Sequence, residues 1–428
     1  MLNTKETQNR KMNARLYPIY KMVSWDLLFY YAIIYLFLVQ VKHFSSSQVL
    51  FGEAFFTLAC FILQIPLGLL VEKIGKKRSL VFANICMCIF SFLLIFINTY
   101  NQLLFIFIID AIGYVIKGIC ETNILYDSLP QGKKRGMLYS TIDGLGTSRY
   151  YVVDAITSLI AGFTYIINPY IPIILCLITN IISTIISTKF KHTVILEEPE
   201  TKTTIKKYFS QLRESAKFAF KSKRMYSLLL FFGIVSGMIY SMTTIRSSVL
   251  EEIQIPEQYF GIILALSQIV ASMFSRAQVL IHKKLRNKTL AFLGIPLTFS
   301  CIIIGFLAML NTNFNITVII VFLFVMQGAI KGSYYVLIYR YLNNFTNRNV
   351  RVKLATIRNM FYNACTITIA LLGSLLLKIT DAANAILIIG CMSSIAMIIL
   401  LDYMRDKVGL RPEDYEVVDL KYSAINKE

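Results

Sequence analysis

The sequence predicts an all-α integral membrane protein with twelve transmembrane helices, arranged as two pseudo-symmetric six-helix bundles. Three observations carry that reading: the composition, a series of apolar runs long enough to span a bilayer, and an alternation of charge in the loops between them. Of 428 residues, 56% are hydrophobic and only 16% charged, against about 45–50% and about 25% in soluble domains. Mean hydropathy is +0.62. This composition excludes a soluble enzyme, a secreted disulfide scaffold and a nucleic-acid-binding module. The net charge of +19 would suggest nucleic acid on a soluble protein. Here the basic residues sit in short loops between apolar runs, where they set orientation.

A spanning helix needs about 20 mostly apolar residues. Six such runs precede a central polar stretch, at 22–41, 49–71, 79–99, 102–125, 137–166 and 170–188. Six follow it, at 226–248, 258–281, 289–310, 314–339, 354–378 and 384–401. The N-terminus carries Lys5, Arg10, Lys11, Arg15 and Lys21, and the second loop Lys73, Lys76, Lys77 and Arg78. The fourth, eighth and tenth loops are also basic, through Lys133–Arg135, Lys283–Lys288 and Arg348–Lys353. The third, fifth and ninth loops are uncharged, and the seventh carries Glu251, Glu252 and Glu257. The positive-inside rule then places both termini in the cytoplasm. The expected organisation is a bundle at 1–190, a linker at 191–225 and a second bundle with a cytoplasmic tail at 226–428. Within the linker, Thr204–Lys221 has Ile205, Phe209, Leu212, Ala216 and Phe220 near helical spacing among cations. That pattern suits a basic amphipathic helix on the membrane surface.

The eight cysteines, Cys60, Cys86, Cys88, Cys120, Cys176, Cys301, Cys365 and Cys391, all lie in apolar stretches without metal or redox spacing. Met1–Lys21 has no apolar core of a secretory signal. No nucleophile–base pair, metal cluster or phosphate loop is legible, so no enzymatic activity and no cofactor are expected.

Two short correspondences suggest a duplication. Ser140–Asp143 matches Ala355–Arg358 at the start of the fifth and eleventh runs, and Lys76–Leu80 matches Arg286–Leu290. Duplicated halves are a known route to transporters with a site at the repeat interface.

Charges inside the runs give the candidate site. One at the bilayer centre costs about 2.5–3.5 kcal/mol or more, so it must face protein or water. The first run has Asp26, the fourth Asp110, Lys117 and Glu121, and the fifth Asp143, Arg149 and Asp154. The seventh has Arg246, the eighth Arg276, the tenth Lys331 and the eleventh Arg358. The third, sixth, ninth and twelfth have none. Every third helix is therefore expected to be a lipid-facing wall around something polar. Lys117 and Glu121 share a stripe with Asp110, and are either a self-satisfying i,i+4 pair or part of a titratable or solute-contacting stripe. Asp143 and Asp154 share another. In sequence order the acids gather in the N-terminal half and the cations in the C-terminal half. Trp25, the only tryptophan, is expected as an interfacial anchor beside Asp26.

Gly68-Leu69-Leu70-Val71-Glu72-Lys73-Ile74-Gly75-Lys76-Lys77-Arg78 resembles the loop signature of the major facilitator superfamily, G-x-x-x-D-[RK]-x-G-[RK]-[RK], in the loop where that family carries it. Glu121-Thr122-Asn123-Ile124-Leu125-Tyr126-Asp127-Ser128-Leu129 looks like the end of the fourth helix in a group of bacterial members. The resemblance implies a secondary transporter working by alternating access, with Gly68, Glu72, Lys73, Gly75 and Lys76 as a gate latch. It departs from the family's drug/proton antiporters: the fifth helix lacks their Gly-Pro pair, and their fourth-helix arginine is absent near Tyr114 and Lys117. The leading expectation is proton-coupled efflux of a drug-like, amphipathic or peptide solute. Asp26, Glu121, Asp143 and Asp154 would carry protons, and Tyr30, Asp110, Lys117, Arg246, Lys331 and Arg358 would touch the solute. The alternatives are proton symport of an anionic or zwitterionic nutrient, and a non-transporting membrane sensor or accessory protein. The expected partners are that solute, protons and the lipid bilayer, not nucleic acid, with the chain a monomer in the plasma membrane.

Overall fold

The structure is a computed structural model. It describes residues 4–130, 135–191, 223–285, 288–310, 313–344 and 348–405, with a few positions between 210 and 221. Most of the amphipathic stretch Thr204–Lys221, the loop cations Lys133 and Lys134, and the tail beyond residue 405 lie outside the described residues.

No strand occurs among the described residues. The helices are α1 (Thr4–Ser24), α2 (Ile34–Leu36, continued by a π-turn over Phe37–Val41), α3 (Ser46–Ile74), α4 (Lys76–Phe96), α5 (Tyr100–Ser128), α6 (Arg135–Ile167) and α7 (Tyr170–Thr188). After the linker come α8 (Lys223–Glu252), α9 (Gln258–Leu285), α10 (Thr289–Leu310), α11 (Phe314–Asn344), α12 (Arg348–Ile379) and α13 (Ala382–Arg405). Among the described residues, eleven helices are long and apolar enough to cross a membrane. They match the second to twelfth runs read from the sequence, because a segment that must satisfy its backbone in lipid has to be helical throughout.

The first run is different. A continuous helix over 22–41 is expected, whereas the chain is helical to Ser24, breaks over residues 25–33, and resumes at Ile34. Phe29 adopts φ 64° within the break. The amides of Ile33 and Ile34 both donate to the Tyr30 carbonyl, at 3.1 and 2.9 Å. The break is buried: Leu27, Leu28, Phe29 and Tyr30 are each 9% exposed or less. The helix before it begins eighteen residues earlier than the apolar run, at Thr4, since α1 is polar over most of its length.

The chain forms two compact units. Unit 1 comprises 1–44, 62–203 and 257–265; unit 2 comprises 45–61, 204–256 and 266–428. Two helices are thereby shared: α3 gives its first part to unit 2, and α9 gives its first turns to unit 1.

In unit 1, α4 packs on α5 and α7, and α1 packs on α5, α6 and α7. Polar side chains join these helices. Asn84 on α4 donates to the Tyr20 hydroxyl (2.9 Å) and accepts from Ser183 on α7 (3.1 Å). Asn180 on α7 donates to Ser91 on α4 (2.7 Å). In unit 2, α8 packs on α12 and α13, and α10 on α13 and α11. Here close approach of small residues dominates. Gly328 and Gly332 of α11 face the backbone carbonyls of Ser267 and Ala271 on α9 so closely that any Cβ would collide with them. This is the small-xxx-small contact common between helices in membranes.

The four helices expected as walls each carry one exposed apolar stripe at helical spacing. On α4 it is Phe82, Ile85, Ile89, Phe92 and Phe96; on α10 it is Phe292, Ile295, Phe299, Ile303 and Phe306. Ile174, Ile178, Ile181 and Ile185 form it on α7, and Met392, Ile395 and Ile399 on α13. Such stripes suit lipid, and the opposite faces are packed.

Candidate functional site

The break in the first run organises the charges of unit 1. A continuous helix would satisfy the Trp25 carbonyl from within; here the Lys117 ammonium donates to it at 3.3 Å. Lys117 is 5% exposed and Glu121 6%. They do not form an ion pair with each other among the described residues, so the self-satisfying pair is not what the side chains do. Lys117 reaches to the start of the break instead, and Glu121 accepts from the Ser24 hydroxyl at the end of α1, at 3.3 Å. Asp26 lies in the break itself and folds back on it, accepting from the Leu27 amide and the Tyr31 hydroxyl, both at 2.9 Å. Tyr30 stacks edge-on against Tyr31 and lies against Phe90 on α4.

Asp110 stands out. It is 7% exposed, and its Oδ1 is buried with no hydrogen-bond partner. Asp26 and Lys117 are the charged groups that act on it electrostatically. The stripe of Asp110, Lys117 and Glu121 read from the spacing is therefore a buried stripe, facing the broken segment. A buried polar atom without a partner costs about 1–3 kcal/mol, which marks a position kept for something other than stability.

Asp143 has a different role. It receives Lys21 at 2.5 Å and the Tyr17 hydroxyl at 2.9 Å, fastening α6 to α1. Lys21 also sits 4.9 Å from the Trp25 ring centroid. Trp25 packs edge-on against Tyr150 and Tyr151, at 5.0 and 5.4 Å. It is thus a packing and cation–π partner inside unit 1. Asp154, further along α6, is 2% exposed, whereas Arg149 is exposed.

In unit 2, Arg246 on α8 is half-buried and makes no hydrogen bond or ion pair among the described residues. Arg358 on α12 donates Nε and Nη2 to its neighbour Asn359, at 3.2 and 2.8 Å. Lys331 lies half-buried on α11, in the turn that contains Gly328 and Gly332. The side chain of Arg276 is outside the described residues. The separation of acids from cations seen along the sequence does not carry over to the compact units, because unit 2 contains Glu53. Its carboxylate accepts from the Thr244 hydroxyl on α8. Glu53 stands near one end of the second run in the sequence and was not among the candidate site residues.

The signature loop shows what its glycine does. Gly75 has φ +92° and caps α4 in a turn that a side chain would strain. Gly68 lies within α3, and Lys73 is exposed. Lys76 pairs with Asp127 at 2.6 Å. The two stretches singled out in the sequence, the loop signature and the Tyr126-Asp127-Ser128-Leu129 ending, are therefore joined by one ion pair. The side chain of Glu72 is outside the described residues. No group of residues that could hold a metal ion occurs among the described residues.

Comparisons with known proteins agree with this architecture. The family model described as Major Facilitator Superfamily matches residues 20–322. No curated protein sequence matches the chain. Among solved structures, the nucleoside transporter NupG is similar at TM-score 0.69 and 13% identity, covering 93% of this chain and 99% of that one. A POT family transporter in complex with a thioalcohol-conjugated peptide is similar at TM-score 0.67 and 11% identity, covering 94% and 96%. The xylose transporter XylE from E. coli, in an inward open conformation, is similar at TM-score 0.63 and 13% identity, covering 96% and 98%. With the model covering most of the chain, and with the spans and signature loop described above, the chain belongs to the major facilitator superfamily.

Proposed function

We propose that the chain is a proton-coupled secondary transporter that works by alternating access between two six-helix bundles, 1–190 and 226–428. The observation that carries this reading is Asp110: a buried carboxyl with an unpartnered oxygen, next to a broken helix, with Asp26 and Lys117 acting on it. An intramembrane carboxyl so placed is suited to gain and lose a proton. Asp26, Asp110 and Glu121 form the coupling group, with Lys117 balancing their charge. Lys21 and Asp143 are a strut, and Asp154 is an additional acid on the same helix. Tyr30, Arg246, Lys331 and Arg358 remain the solute contacts. Gly75, Lys76 and Asp127 form the latch, together with Gly68, Glu72 and Lys73 of the same signature. Loop charge supports cytoplasmic termini in a plasma membrane, with the chain acting as a monomer.

Export of an amphipathic or peptide solute is the first reading, on the strength of the acids facing the broken segment. Symport of an anionic or zwitterionic solute is the second. Arg246, a cation with no hydrogen bond or ion pair among the described residues, favours it, and similar folds include a nucleoside transporter, a POT family transporter in complex with a peptide conjugate and a xylose transporter. Proteoliposomes with an imposed pH gradient test both. The probes are radiolabelled uridine, dialanine and xylose, and the dye ethidium. Gradient-driven movement of at least one probe, abolished by Asp110→Asn with expression intact, is expected; its direction separates export from symport. Undiminished gradient-driven flux in Asp110→Asn would remove Asp110 from coupling.

A further inference from the structure

Glu53 lies in the first half of α3, in the part that packs within unit 2. One carboxylate oxygen accepts from the Thr244 hydroxyl of α8. The other, Oε2, is buried and has no partner. No cation forms an ion pair with it among the described residues. The elements packed around it bring few candidates. On α8 the nearest cation in sequence is Arg246, two residues past Thr244, which places it about 200° around the helix. On α12 Lys378, in the last turn, is the cation nearest in sequence to Ser374, and Arg348, Arg351, Lys353 and Arg358 lie in the first three turns. The serines at this junction are neutral: Ser47 on α3 shares hydrogen bonds with Ser374 on α12, at 2.7 Å to its carbonyl and 3.1 Å between hydroxyls.

An ionised carboxylate buried against a lone hydroxyl, with no counter-charge, is not a stable arrangement. A neutral carboxylic acid costs far less there, since it carries no charge and can share its proton with the Thr244 hydroxyl. We propose that Glu53 is a proton-binding site separate from the acids of unit 1, occupied in this arrangement, and that release of its proton loosens the first half of α3 from α8 and α12. The proton leaves the Glu53 carboxyl for water. The carboxylate left behind has no partner in the packed arrangement and must move toward solvent, which breaks the Thr244 contact and the Ser47–Ser374 contact beside it.

The inference does not rest on the transport reading, and its test involves no flux. Infrared spectra of the full-length protein in phosphatidylcholine–phosphatidylglycerol vesicles, recorded across pH in water and in deuterium oxide, detect protonated carboxyls by their C=O stretch. A protonated band present in the wild type at neutral pH and missing from Glu53→Gln is expected. Thr244→Val keeps that band and shifts it to higher frequency, since the acid loses its hydroxyl neighbour, so the test survives if Glu53→Gln does not fold. Oxidative crosslinking of Ser47→Cys with Ser374→Cys, in a cysteine-free background, reports the contact. Its yield is expected to fall by up to about tenfold per pH unit above the transition, the limit for one proton. With Glu53→Gln added, that fall is expected to vanish, leaving only the rise with pH that thiolate formation gives any cysteine pair. A Glu53 that contributes only carboxylate bands at neutral pH, or a crosslink whose pH profile is the same with and without Glu53→Gln, would overturn the proposal.

Discussion

The first and seventh membrane segments open the two halves of the duplicated plan, and they differ in a way that sets the character of each unit. The first is broken over residues 25–33 and surrounded by charge. The seventh, α8, is an unbroken helix whose spanning window is 72% buried. In α8 the hydroxyls of Ser236, Ser247 and Ser248 turn back to carbonyls one turn earlier, so these three are satisfied locally, and Thr244 reaches across to Glu53 on α3. In the first segment the freed Trp25 carbonyl is satisfied from another helix, by Lys117. Unit 1 is thus joined by long-range polar and charged contacts: Lys117–Trp25, Lys21–Asp143, Asn84–Tyr20 and Asn180–Ser91. Unit 2 is joined mainly by close helix packing.

Substitutions can break this contrast or sharpen it. The largest effect is expected from Lys117→Met, which leaves the Trp25 carbonyl and the neighbouring acids without their cation. A loss of about 3–5 kcal/mol should appear as a marked fall in the thermal transition of the detergent-purified protein. Arg246→Met in α8 is the matched control. With no partner to lose, it should change stability by less than about 0.5 kcal/mol. Equal losses in the two variants would erase the distinction between the units.

Packing in unit 2 is probed by Gly332→Ala. Its Cβ would meet the Ala271 backbone, which cannot swing aside, so a cost of about 1–3 kcal/mol is expected. A neutral result would show that unit 2 is not held by close approach. A smaller effect, about 0.5–1 kcal/mol, is expected from a double-mutant cycle on Lys76 and Asp127, because Lys76 is 34% exposed. The smallest should come from Thr99→Ala. It removes the capping box that Thr99 and Gln102 make at the start of α5, with a cost of about 0.5 kcal/mol or somewhat more.

The positions of eleven spans were legible because hydropathy over about 20 residues leaves a membrane segment little freedom. The break in the first was not. The stretch from Trp25 to Ile33 contains neither glycine nor proline, and apart from Asp26 its residues are apolar or aromatic. Only tertiary contacts, with Lys117 supplying a donor from α5, make the break affordable. The buried stripe of Asp110, Lys117 and Glu121 followed from a periodicity of about 100° per residue. What each charge bonds to did not, since an i,i+4 spacing permits a pair without requiring one. Glu53 was passed over because assigning it by sequence order hides that the first half of α3 packs in unit 2. The Gly328-x-x-x-Gly332 pattern around Lys331 was a readable signal for a tight helix contact, and it explains why that lysine lies on a helix packed so closely to its neighbour.

Hydrogen–deuterium exchange of the protein in lipid vesicles, read by mass spectrometry, compares the two segments without knowledge of any solute. The account predicts that amides of the break that lack a helical partner, within residues 26–32, exchange at least about a thousandfold faster than those of residues 236–248, as expected where the helical hydrogen-bond ladder is interrupted in one segment and continuous in the other. Equal protection of the two segments would contradict it.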